Sequence, residues 1–343
     1  MKNLIWILMA TVVLLPACGN RTGSVADKPL AVIFETDLGN DVDDALALDL
    51  LYKYQDAGKI RLLAVNLNKN GEAPAEFADI LNTWYGYPDI PIGIIRDGAD
   101  CETDAAVNYA KAVVDLEDAE GKPLFARSHP GYAEYPEAVT LYRKLLAAEP
   151  DTSVVIASVG FSTNLIRLLD TAADEYSPLT GAELVAKKVK LLVTMAGCMN
   201  NPKTHEYNVV KDVPAAKVIF EQWPTPVVTS PFEVGVQIRY PATSIENDFS
   251  WAPQHPVVEA YKAYLPMPYN RPTWDPTAVL YAVEGGDWFT VSPPGRIEVT
   301  DEGSTLFTED PAGTRRYLAV TPEQAGAILQ HFVETITSVP RNR

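Results

Sequence analysis

Ten residues, Glu35 to Asp44, carry five carboxylates (Glu35, Asp37, Asp41, Asp43 and Asp44) and no lysine or arginine. Carboxylates held a few ångströms apart repel, raise one another's pKa values and destabilise a fold unless something neutralises them. A divalent cation does so, and ligands that are all oxygen favour a hard ion, Ca²⁺ or Mg²⁺. One aspartate in such a loop, Asp41 or Asp43, is commonly only a helix cap; capping needs one carboxylate rather than five.

The elements that must hold these acids lie on either side. Ala31-Val32-Ile33-Phe34 reads as a buried strand of a parallel sheet, and Ala45-Leu46-Ala47-Leu48 with Leu50-Leu51 reads as a helix. The exit of a parallel strand is where open α/β sheets place their sites. Downstream the pattern repeats: strand 60–65, helix 74–85, strand 89–94, helix 136–148, strand 153–157, helix 165–170, strands 189–195 and 227–229, and a late helix 322–337. This alternation predicts the α/β class: an open, mostly parallel, Rossmann-like sheet covered by helices, as a single domain over 31–343. Asp287-Trp288-Phe289 and 294–317 carry no recognisable chemistry and read as loops and hairpins over the sheet.

The first residues read differently. Lys2 supplies a positive start and Leu4 to Leu15 an apolar stretch too short for a comfortable membrane span. Leu15-Pro16-Ala17-Cys18 resembles a bacterial lipobox, which would make residues 1–18 a lipoprotein signal peptide and Cys18 the acylated N-terminus. Residues 19–30 read as a tether. The absence of aspartate after Cys18 points to the outer membrane of a Gram-negative cell. Membrane contact is then expected only through the lipid anchor. A formal net charge of −17 argues against nucleic acid as a partner. Cys101 and Cys198 are too far apart for a CxxC-type metal site, and a disulfide between them stays open.

Four ordered motifs resemble one family. Strand followed by Glu35-Thr36-Asp37-Leu38-Gly39-Asn40-Asp41-Val42-Asp43-Asp44-Ala45 is similar to the metal signature of the calcium-dependent, inosine/uridine-preferring nucleoside N-ribohydrolases. Gly160-Phe161-Ser162-Thr163-Asn164-Leu165 resembles the second signature, where a backbone carbonyl just before the glycine ligates calcium. Ser158 is the expected ligand here, with Val159 beside it. Met195-Ala196-Gly197, then Asn200-x₅-Glu206-x-Asn208, resembles the third. Thr273-Trp274-Asp275-Pro276 resembles the fourth, whose aspartate completes the calcium shell.

The resemblance implies roles. Asp37, Asp44, Asp275 and the Ser158 carbonyl would hold Ca²⁺, and Asp37 would also take the proton of a Ca²⁺-activated water. Asp43 would accept the ribose 2′-hydroxyl. Asn200 and Glu206 would hold the 5′-hydroxyl and Asn208 the 3′ side, with Met195 under the ribose and Asn68 a further sugar contact. Many members carry a histidine where this chain has Trp274; purine-preferring members are similar in placing a tryptophan near the base. Trp274 would therefore stack on a departing purine. The opening loop departs from the family: two residues, Asn40-Asp41, look inserted, Asp41 rivals Asp37 or Asp43 for either role, and Glu35 replaces an aspartate.

The implied activity is hydrolysis of the N-glycosidic bond of purine ribonucleosides to base and ribose. The implied partner is a small nucleoside, with a homo-oligomer open. A related N-glycosidic substrate and a non-catalytic nucleoside- or sugar-binding lipoprotein remain as alternatives. A Mg²⁺-dependent phosphoryl-transfer enzyme would want lysine or arginine near the site, and the acidic loop itself contains none.

Overall fold

The computed structural model describes residues 28–99, 109–129 and 131–342. The proposed signal peptide, Cys18, most of the tether, and Cys101 lie outside the described residues.

Strands of 31–36 type, rich in Val, Ile, Leu and Phe with no polar face, can be satisfied only with helices on both sides. Six such strands run parallel: β1 (Leu30–Thr36), β2 (Ile60–Leu67), β3 (Ile92–Gly93), β4 (Val154–Ser158), β5 (Val189–Met195) and β6 (Val227–Ser230). Their spatial order is β3-β2-β1-β4-β5-β6, so the chain reverses direction of growth between β1 and β4. In open α/β sheets ligands bind at that reversal, beyond the carboxyl ends of the strands.

Alternate residues of β1 feed two cores. Val32 and Phe34 join a core beneath the helices Asp43–Asp56, Trp274–Glu284 and Pro322–Ile336. Ala31 and Ile33 join the other, with Leu141 of helix Ala138–Ala148, Leu165 of helix Thr163–Leu169 and Ile219 of helix Val213–Gln222. Asp212 caps the last of these, accepting the Ala215 N–H at 3.3 Å.

Three expected elements differ. Only Ile92–Gly93 of 89–94 pairs with β2: the Pro91 carbonyl accepts the Val65 N–H at 3.1 Å, but Pro91 has no N–H of its own to extend the ladder backwards. The helix expected over 74–85 begins at Glu72 after Gly71 and keeps Pro74 in its first turn. The region 294–317 does not lie over the sheet. After the two short strands β7 (Arg239–Tyr240) and β8 (Arg271–Pro272) and β9 (Thr290–Val291), it supplies β10 (Gly295–Val299), β11 (Thr305–Glu309) and the start of β12 (Arg315–Ala319). β12 pairs parallel with β6, and β10 and β11 add an antiparallel edge. The cause is the strict alternation in Gly295-Arg296-Ile297-Glu298-Val299, which buries Ile297 and Val299 and exposes Arg296 and Glu298.

Candidate active site

β1 ends at Thr36, and its exit builds the site. The Thr36 hydroxyl accepts the Leu38 N–H at 3.1 Å and donates to Asp44 Oδ1. The turn closes with Asn40 N–H on the Asp37 carbonyl at 3.2 Å and with Gly39 at φ +103°, a left-handed conformation suited to glycine. Asp43 and Asp44 then occupy the first turn of helix Asp43–Asp56, where the helix dipole favours negative charge. Neither acts as its cap: the N-cap is Val42 and no side chain bonds it.

Helix Trp274–Glu284 brings Asp275 to the same point. Asp43 Oδ2 accepts the Asp275 backbone N–H at 3.1 Å, and one carboxylate oxygen from each of Asp43, Asp44 and Asp275 lies within 4.8 Å of the others. All three are buried, and Asp44 Oδ2 has no hydrogen-bond partner. Burial first, and then repulsion from neighbouring carboxylates (Asp41 on Asp43, Asp37 and Asp43 on Asp44, Asp43 and Asp44 on Asp275), pushes all three carboxyls well above the usual aspartate range. Burial also pushes Asp37 up to about 6, while Asn40 and Lys69 pull the other way. The missing counter-charge, the orphaned oxygen and the all-oxygen donor set together fit a hard divalent cation.

A cavity of about 420 Å³ opens on these acids, within the range of small-molecule sites. Asp37, Asp43, Asp44 and Asp275 all line it. Met195, Glu206 and Asn208 line it as well. Glu206 caps helix Tyr207–Lys211; its carboxylate accepts N–H groups of Gly197 (3.0 Å), Asn208 (2.8 Å) and Val209 (3.2 Å). Burial raises it to about 7, against those three bonds. Asn208 Nδ2 donates to the carbonyls of Val159 (3.1 Å) and Met195 (3.0 Å), which leaves its Oδ1 for a ligand.

Three expected contacts fall outside the cavity. Ser158 is the last residue of β4, paired with β1 and β5 on either side, and is enclosed completely. The next residue, Val159, lines the cavity, and its carbonyl accepts the Asn208 amide through one of its two lone pairs. Asn68 is fully buried under Gly160: a Cβ at 160 would sit 2.4 Å from Asn68 Oδ1 and 2.7 Å from Asp37 N, so the close approach demands glycine. Asn200 is exposed; its N–H donates to Glu233 Oε1 at 2.9 Å, and its Oδ1 accepts from the Cys198 thiol at 3.4 Å. Glu35 also turns away. Its carboxyl, raised to about 7 by burial, accepts from Tyr142 OH (2.6 Å) and Asn164 Nδ2 (2.7 Å).

The chain belongs to the inosine-uridine preferring nucleoside hydrolase family. Its sequence profile matches residues 32–328, from the first strand to the last helix. No curated protein matches the sequence. Among solved structures, a purine-preferring ribonucleoside hydrolase from Gardnerella vaginalis is 19% identical with a TM-score of 0.69, over 90% of this chain and 98% of that one. An inosine-uridine preferring nucleoside hydrolase from Bacillus anthracis is 17% identical with a TM-score of 0.64, over 89% and 99%. At these identities the likeness establishes the nucleoside hydrolase fold. Family membership makes the chain a metal-dependent enzyme of ribonucleoside hydrolysis, and the acidic cluster is where its metal fits.

Within that nucleoside hydrolase frame, Asn40 and Asp41 each have a visible task. Asn40 Nδ2 donates to Asp37 Oδ2 at 2.8 Å while its Oδ1 accepts from Lys69 Nζ at 2.6 Å. Asp41 lines the same cavity but lies outside the three-carboxylate cluster; it pairs with Arg271 through Nε at 2.8 Å and through Nη2. Trp274 lines the cavity with Phe232, whose ring stacks on it at 5.6 Å and whose carbonyl accepts the indole N–H at 2.9 Å. Sequence reasoning missed Lys69, Arg271, Phe232 and Tyr264. The one available signal was the position of Arg271, three residues before Trp274.

Proposed function

We propose that this chain hydrolyses purine ribonucleosides to base and ribose with calcium as its ion. The reading rests on one observation above all: three buried aspartates, two from the first helix and one more than two hundred residues away, converge on a point with one oxygen left unpartnered. Asp44 and Asp275, with Asp43 beside them, would hold the ion, and Asp37 and the Val159 carbonyl on the same cavity wall would complete its shell. Bound there, a divalent cation supplies positive charge that keeps the carboxylates ionised and acidifies a nearby water.

The protein's own groups do the rest. Asp37 accepts the proton of the attacking water, and the Asn40 amide fixes which of its oxygens is turned away. Asp43, Glu206 and Asn208 Oδ1 accept hydroxyl hydrogens of the ribose. Negative side chains around the sugar favour the oxocarbenium-like charge that develops as the bond to the base breaks. The aromatic wall of Trp274, Phe232 and Tyr264 provides apolar surface for a purine.

Reducing-sugar release from a panel of purine and pyrimidine ribonucleosides, before and after chelation, tests this. Purine turnover restored by calcium is expected; full-rate turnover after exhaustive chelation refutes the metal role. Anchoring at Cys18, with an outer-membrane address, is proposed from the sequence alone. Labelled palmitate should mark the wild-type chain and not Cys18→Ser.

A further inference from the structure

The cavity wall carries one cation that the hydrolytic reading leaves without a task. Arg271 lies in β8, three residues ahead of Trp274, and its guanidinium sits over two rings, 5.1 Å from the centre of Tyr264 and 5.2 Å from that of Trp274. Asp41 takes it side-on, through Nε and Nη2. A guanidinium gripped along that side keeps its other edge, formed by Nη1 and the second Nη2 proton, free to donate. Nη1 has no hydrogen-bond partner among the described residues, and Arg271 lines the cavity. Two rings and a bidentate carboxylate hold the fork in place, which is the pre-organisation that recognition needs.

We propose that Arg271 reads the departing base, donating from its free edge to the O6 and N7 acceptors of a 6-oxopurine. The proposal rests on the reading of this cavity as a ribonucleoside hydrolase site and adds the class of base. Arginine paired with a 6-oxopurine across O6 and N7 is the commonest specific contact between a side chain and a base. A 6-aminopurine places an amino donor where O6 would be, so donor meets donor. Electrostatics disfavours the other use of a cavity arginine, binding a phosphate. Asp41 already neutralises this guanidinium, and Asp37, Asp43, Asp44 and Asp275 surround the same space with negative charge. What the free edge offers is hydrogen-bond geometry toward a neutral acceptor. The insertion in the opening loop supplies Asp41, the residue that fixes that geometry.

The test compares kcat/KM for inosine, guanosine, adenosine and inosine 5′-monophosphate in calcium-loaded wild type, Arg271→Lys and Arg271→Met. Calorimetry of hypoxanthine and adenine binding runs alongside. Wild type is expected to favour inosine over adenosine by roughly 10- to 100-fold, the range of one bidentate base contact. That ratio, and the preference for hypoxanthine over adenine, should collapse toward parity in both variants. Arg271→Lys keeps the charge opposite Asp41 and loses only the planar fork. Should the substitutions at 271 prevent folding, Asp41→Asn, which releases the fork, should erode the same ratio. Equal cleavage of inosine and adenosine by wild type, or an undiminished ratio in the variants, overturns the role of Arg271 alone. Preference for the 5′-monophosphate over inosine also overturns it, because the guanidinium would then be holding phosphate. Failure to cleave any riboside overturns the hydrolase reading instead.

Discussion

Two groups of buried acids share the helix Asp43–Asp56, and they are treated in opposite ways. Asp49 is as buried as Asp43 and Asp44. Yet Tyr85 OH donates to it, the Lys53 ammonium stands 4.0 Å from its Oδ1, and His255 Nε2 lies 3.9 Å from its Oδ2. Lys53 is itself held by the Ser338 carbonyl and lies over the rings of Tyr85 and Trp251. Asp49 Oδ1 accepts no hydrogen bond among the described residues, but a buried ammonium stands beside the acid and a phenol donates to it, so its charge is met within the fold. At the cavity the two nearby cations are already engaged, Lys69 by Asn40 and Arg271 by Asp41, and three aspartates face one another. A fold that can neutralise a buried acid six residues away and does not do so at the cavity has left a position for something brought from outside. The cluster costs stability and belongs to function.

The largest effect should come from Asp44→Asn. It removes a proposed ligand and one repelling charge together. Activity should fall by roughly 10³-fold or more, on the scale of losing a preorganised electrostatic group. The rise in Tm on adding calcium should vanish, since binding to the folded state alone produces that rise. The chelated variant should melt above the chelated wild type, a sign that no structural acid would give. Asp49→Ala should do the reverse. It strands the buried Lys53 and should cost about 3–5 kcal/mol in denaturant titration, as breaking buried pairs does. Calcium affinity should be unchanged. If Asp49→Ala weakened calcium binding, or Asp44→Asn destabilised the chelated protein, the contrast between the two regions would fail.

The same contrast separates what the sequence could and could not disclose. Asp37, Asp43 and Asp44 are legible because one short loop concentrates charge that nothing nearby cancels. Asp275 carries no such local mark; only its motif links it to a strand exit far upstream. The pairs Asp41–Arg271 and Asn40–Lys69 join residues with no shared periodicity, and contacts between distant loops leave no pattern in either. Val159 rather than Ser158 lines the cavity because one step along a strand exchanges an enclosed position for an exit. The parallel sheet is readable from apolar runs, but its strand order is not; the edge strand β10 alternates polar and apolar residues and β11 is largely exposed, so both pass for surface hairpins. Asn200 keeps the expected spacing to Glu206, yet spacing alone does not say which way a loop residue faces.

A smaller effect sharpens the functional side. Asn40→Ala removes the amide that holds Asp37 Oδ2, and supporting partners of metal ligands are typically worth 10–100-fold in activity or affinity. Chelated stability should barely move, because Asn40 sits on a half-buried turn. A loss of fold without a loss of calcium affinity would reassign Asn40 to the structural group.

The smallest effect is the pH dependence of the structural acid. Burial raises Asp49 to about 6, with Lys53 and Tyr85 holding it below a still higher value. Between the ordinary aspartate pKa, 3.8, and about 6, the folded state therefore binds more protons at this site than the unfolded chain does. Stability contributed by Asp49 is complete below that window and declines as pH rises through it, by at most roughly 1.4 kcal/mol per pH unit. Asp49→Asn should remove that slope. The comparison is made on calcium-loaded protein, so that the cavity acids are ionised throughout and drop out of the difference. Urea midpoints of wild type and Asp49→Asn should therefore change relative to one another between pH 4 and 6, wild type losing ground as pH rises, and run parallel from pH 7 upward. Parallel curves across the whole range would mean that Asp49 is ionised in both states and that its partners compensate burial fully, which would widen the gap between this acid and those at the cavity.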